Sequence, residues 1–162
     1  MDALGLLRVD HRRISGLIQQ VENELNAQTG QAPRHSFETL SRAVHAHEQM
    51  LHQCLYPDLE PYGGLGDYLA FDESNERRIN EVMKSIENNE PPEQSWTSRL
   101  AELNKLWQTH VEQSENRLFP EALRLLGPTR LQQLEFQMDA VRTHQSDLDS
   151  TIYPASRLGP KT

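Results

Sequence analysis

Apolar residues recur three and four positions apart along four separate stretches of this chain, a period that suits one face of an α-helix and no strand. The first stripe runs Leu4, Leu7, His11, Ile14, Ile18, Val21, Leu25, and the second Phe37, Leu40, Val44, His47, Leu51, then Cys54 or Leu55. The third is Leu69, Asp72, Glu76, Ile79, Met83, Ile86, and the fourth Leu100, Leu103, Trp107, His110, Ser114, Leu118. Each stripe carries one metal-capable side chain, His11, His47, Glu76 or His110, where the repeat asks for an apolar one. Such groups are costly to bury alone, so their recurrence on all four stripes points to a site.

Residues that stop helices or turn the chain separate the stripes. Thr29, Gly30 and Pro33 divide the first pair, Pro57, Pro61, Gly63, Gly64 and Gly66 the second, and Asn88, Asn89, Pro91 and Pro92 the third. Asp2, Ser36, Asp67 and Ser95 are the expected N-caps. After Gly127 and Pro128 a shorter amphipathic run, Leu131, Leu134, Met138, Val141, predicts a fifth helix closing the bundle. The expected fold is therefore all-α, an up-down-up-down four-helix bundle with an additional short C-terminal helix. It occupies residues 1–149, and residues 150–162 are expected to form an irregular tail.

In that arrangement the four polar residues fall at one depth. His11 and Glu76 lie nine residues after their caps, and His47 and His110 ten before Pro57 and Pro120. A rise of 1.5 Å per residue puts all four roughly 14 Å from the same end. The reading is one core layer of three imidazoles and a carboxylate. Asp72, a turn before Glu76, is expected near the bundle end and solvated. His45, Glu48 and His52 form a second spacing that lies off the stripe, a solvated face more than a site.

Composition excludes several classes. A net charge of −8 lacks the clustered Lys and Arg that a nucleic-acid backbone requires. Phosphate-loop and dinucleotide-binding motifs are absent, and the single cysteine, Cys54, excludes an intrachain disulfide. Asp2, Arg8 and Asp10 interrupt the first apolar run, so no signal peptide or membrane span is expected and a reducing cytoplasm is the expected location.

The chain resembles the hemerythrin-like (HHE cation-binding) proteins, four-helix bundles that hold a non-haem di-iron centre. The resemblance covers roughly residues 4 to 142. It is carried by Asp10-His11, by His47 ahead of Leu55-Tyr56-Pro57, by His110 ahead of Leu118-Phe119-Pro120, and by the closing helix from Leu131 to Arg142. It implies a metal-binding protein that binds or senses oxygen, nitric oxide, peroxide or iron. The chain also departs from the family pattern. Leu51 and Ser114 stand where the family usually places the two carboxylates that bridge its irons, and Glu76 stands for a third-helix His. Glu48 matches a Glu that some members use directly after the second-helix His, and Glu115 a further acidic position of the fourth helix.

The expected ligand set is therefore His11, His47, Glu48, Glu76 and His110, around a mononuclear or altered di-iron centre. Three neutral imidazoles with a carboxylate suit Fe(II), Zn(II) or Mn(II). The alternative is a metal-free derivative, a vestigial polar layer inside a bundle that serves as a regulatory module for a protein partner. No residue pair at catalytic spacing stands apart from these ligands, so the chain reads as a binding protein more than an enzyme.

Overall fold

A computed structural model describes residues 1–27, 32–89 and 95–152, with side chains placed to residue 148. The described residues are almost wholly helical, and no strand occurs among them. Helix α1 is Ala3–Asn26, α2 Arg34–Met50, α3 Tyr56–Leu59, α4 Gly66–Asn88, α5 Trp96–Gln113 and α6 Phe119–Ile152. Asp2 caps α1 by accepting from the Gly5 amide, and Ser95 caps α5 by accepting from Ser98. The other two expected caps are corrected. Helix α2 starts two residues before Ser36, behind Pro33, and α4 begins after Leu65, which puts Asp67 inside its first turn.

Two prolines expected to end helices do not. Leu51–Leu55 and Ser114–Leu118 are π-helical turns, and the chain keeps right-handed helical angles on both sides of each. They are closed by i→i−5 bonds from the Tyr56 amide to the Leu51 carbonyl and from the Phe119 amide to the Ser114 carbonyl. Pro57 and Pro120 come directly after. A proline in a helix clashes with the carbonyl four residues back, and a wide turn just ahead of it makes room for the ring. Helix α2 thus continues into α3, and α5 into α6.

The rod of α6 breaks at Gly127, whose φ of 75° and ψ of 167° suit only glycine, and the closing helix runs on from Pro128. It reaches Ile152, so the expected tail is helical for its first residues; its remainder lies outside the described residues. Thr29, Gly30, Pro91 and Pro92 also lie outside them. Arg130 grips Asp58 of α3 with two guanidinium nitrogens. That pair fastens the closing helix down while Leu131, Leu134 and Met138 enter the core.

The core has two halves. One gathers Leu4, Leu7, Met50, Leu55, Tyr68, Leu118, Phe119 and the closing helix. The other gathers Ile14, Ile18, Leu40, Val44, Ile79, Ile86, Leu100 and Trp107. Between them, along the sequence of every main helix, fall the buried polar residues Asp10, His11, His47, Glu48, Asp72, Asn75, His110 and Ser114. Burial on this scale is stable only if the polar groups satisfy one another.

Candidate metal centre

Helices α1, α2 and α5 each bring one imidazole to this layer. His11, His47 and His110 are all buried, and each offers a ring nitrogen such that the three atoms lie within 4.8 Å of one another. Each ring is held from behind by a carboxylate on another helix or turn. His47 Nδ1 donates to Asp10 at 2.9 Å, His110 Nδ1 to Asp72 at 2.8 Å, and His11 Nδ1 to Glu115 at 2.6 Å. A carboxylate accepts only, so it draws the proton of a neutral imidazole to Nδ1 and leaves Nε2 with a lone pair.

At His11 and His47 the electrostatics agree with neutral rings. Burial pushes His11 far below the ordinary histidine range, and the neighbouring His47 and His110 push the same way. Burial lowers His47 as well, and its bond to Asp10 offsets only part of that. Asp72 faces the opposite problem. Burial favours its neutral form, but the bonds from His110 and Tyr56 outweigh it and hold the carboxyl below its usual range.

The rings sit in an apolar sleeve. Trp107 stands edge-on to His11 and His47 at 5.7 and 5.4 Å between centroids, and Phe119 stacks on His11 at 5.8 Å. The Trp107 indole N–H leaves the layer to reach Ser15 at 3.2 Å, so it does not compete for the imidazole nitrogens.

Three imidazoles with oriented Nδ1 atoms fit a cation. His47 Nε2 and His110 Nε2 face each other at 3.2 Å. With both protons on Nδ1 these are two lone pairs pointed together, an arrangement that a shared positive charge relieves. Two nitrogens bonded at about 2.1 Å to one tetrahedral ion stand roughly 3.4 Å apart, so the observed gap suits a common ion. A bound cation here would act as a Lewis acid and a point of attachment for small molecules.

The fourth residue expected in the layer is corrected. Glu76 does not meet the imidazoles; its Oε2 accepts from the half-exposed His52 at 2.7 Å. Asp72, expected in solvent, is 2% exposed and occupies the layer instead. The reason is helical phase. The buried residues of α4 are Tyr68, Asp72, Asn75, Ile79, Val82, Met83 and Ile86, so the stripe passes through Asn75, which donates to the Leu106 carbonyl at 3.1 Å. Glu76 falls one position to the side.

Glu48 is buried next to His47, with Oε2 accepting from Asn80 at 3.4 Å and Oε1 without a partner among the described residues. Burial, reinforced by Glu76 and Asp72, pushes its carboxyl up to about 8. His52 pairs with Glu76 and not with Glu48, so the second spacing seen in the sequence does not converge. Cys54 is a buried free thiol. Leu51 is buried in the apolar half, and the Ser114 hydroxyl lies 3.2 Å from that of Tyr68.

Sequence reasoning missed Asp10, Tyr56 and Tyr68 as parts of the site. Asp10 was within reach: Leu7, Asp10 and Ile14 keep the three-then-four spacing as well as Leu7, His11 and Ile14 do.

The fold and the three-histidine layer agree with the comparison at the level of families. The chain belongs to the hemerythrin HHE cation-binding domain family, whose model matches residues 2–122. The match ends before Gly127, so the closing helix lies beyond it. No curated protein and no solved structure matches the chain.

Proposed function

We propose that this chain is a non-haem metal-binding protein in which His11, His47 and His110 hold one divalent cation, iron ahead of zinc or manganese. Its role on this reading is to bind or sense a small molecule of the oxygen, nitric oxide or peroxide type. The observation that carries the reading is the 3.2 Å approach of two buried Nε2 atoms whose Nδ1 atoms are both committed to carboxylates. A single ion is favoured over a pair because Leu51 and Ser114 supply no bridging carboxylate.

Glu48 is the carboxylate we keep in the ligand set, since one of its oxygens is buried and without a partner among the described residues. Glu76 joins only by leaving His52. A cytoplasmic setting belongs to the same reading.

A metal-free regulatory module is the second reading. One observation favours it: the same two Nε2 atoms are close enough for one ring, given a second proton shared with its carboxylate, to donate to the other, which satisfies the layer without an ion. Expression in iron-rich medium with subsequent metal analysis separates the two. Near-stoichiometric metal that is lost on His47→Ala supports the metal centre. Trace metal that is indifferent to His47→Ala supports the module.

A further inference from the structure

A buried phenol, Tyr56, stands behind His110. Tyr56 donates to Asp72 Oδ2, and the other oxygen of Asp72 accepts from His110 Nδ1 at 2.8 Å. The residues come from α3, α4 and α5, and both bonds are buried.

The directions of these bonds are set by chemistry. An ionised carboxylate only accepts, so the one proton of Tyr56 is committed to Asp72. The Tyr56 O–H points toward Asp72, where it meets the N–H of His110 coming from the other side. A carboxylate held from both sides cannot turn its second oxygen away from the ring.

We infer that Tyr56 is a positioning residue that acts through Asp72 to keep the His110 proton on Nδ1 and its Nε2 lone pair aimed at the shared centre. The inference rests on the reading of His110 as a ligand, but it makes a statement about the metal-free chain as well. The wide turn before Pro57 has a part in this. It ends at Leu55, and Tyr56 is the first residue beyond it, so the turn sets the direction in which the phenol leaves the rod.

The test compares wild type with Tyr56→Phe, which keeps the ring and removes the hydroxyl, and with Tyr62→Phe, an exposed control. Long-range proton–nitrogen spectra of the metal-free, 15N-histidine-labelled protein report the tautomer of His110. Zinc affinity, measured by competition with a chromophoric chelator, reports its consequence. We expect Tyr56→Phe to turn a pure Nδ1–H signal into a mixture of tautomers and to weaken zinc by about 10-fold, within the range for lost outer-shell partners. Tyr62→Phe changes neither.

Tyr56→Met, which also removes the hydroxyl, gives a shift in the same direction, and it decides the matter if Tyr56→Phe fails to fold. An unchanged tautomer with zinc affinity within about twofold of wild type, in whichever of the two variants folds, overturns the inference. If wild type binds no zinc, the metal reading fails on its own, and the tautomer spectra still decide the role of Tyr56.

Discussion

Asp10 is the sequence neighbour of His11, yet its carboxylate serves His47 on a different helix, accepting the Nδ1 proton at 2.9 Å. Both partners are buried, so neither can turn to water when the other is lost. Asp10→Ala should therefore destabilise the metal-free protein by about 1–3 kcal/mol, the cost of a buried donor left unsatisfied. Metal affinity should fall about 10- to 100-fold as the ring loses its orientation. Urea unfolding and metal competition check the two parts separately. Unfolding and affinity both unchanged would mean that Asp10 does not position His47.

Metal removal should be visible as lost stability. Metal at about 100 times its dissociation constant contributes about 2.7 kcal/mol to the native state. For a chain of this size that corresponds to a melting shift of roughly 5–10 °C. Calorimetry with and without a chelator measures it, and in His47→Ala the two scans should coincide. A wild-type melting point indifferent to chelator counts against the centre.

Leu51→Glu tests nuclearity. Leu51 is buried, and a carboxylate there has no partner in the metal-free chain, so stability should drop by more than about 2 kcal/mol. With iron supplied, the variant should recover much of that loss and carry about two ions per chain where wild type carries about one. An unchanged iron content in a folded variant would show that position 51 does not reach the ions.

Gly127→Ala probes the break in α6. Open space surrounds the position, so the cost is confined to a backbone angle that side chains rarely adopt, about 1–3 kcal/mol. Thermal unfolding should show that loss while metal affinity stays within about twofold. An equally stable variant would mean that the backbone at 127 relaxes to an ordinary conformation.

The stripes of α1, α2 and α5 are legible because apolar residues flank each histidine at the helical spacing on both sides. Those three stripes led to the three imidazoles and their common layer. The α4 stripe was harder to read, since Tyr68, Asp72 and Asn75 mix polar groups into the buried face and a neighbouring phase through Glu76 fits the count nearly as well.

Pro57 and Pro120 misled for a different reason. Proline usually ends a helix, and nothing in the local sequence announces the π turns that let both rods continue. With the helices taken to stop there, Tyr56 fell at a helix end, out of view of the site. Long-range pairs such as Asp10 with His47 come from packing and leave no periodic trace.

The two wide turns each spend one residue more than a regular coil over the same length of rod. Deleting a single residue between Leu51 and Leu55 would let that stretch rewind as a regular coil without turning α3, but it would take away the room made for Pro57 and set its ring against the carbonyl four residues back, a cost of about 3 kcal/mol or more. A lesion of one codon, touching none of the three imidazoles, would thus strain the rod that carries both the Tyr56 phenol and the Asp58 anchor of the closing helix.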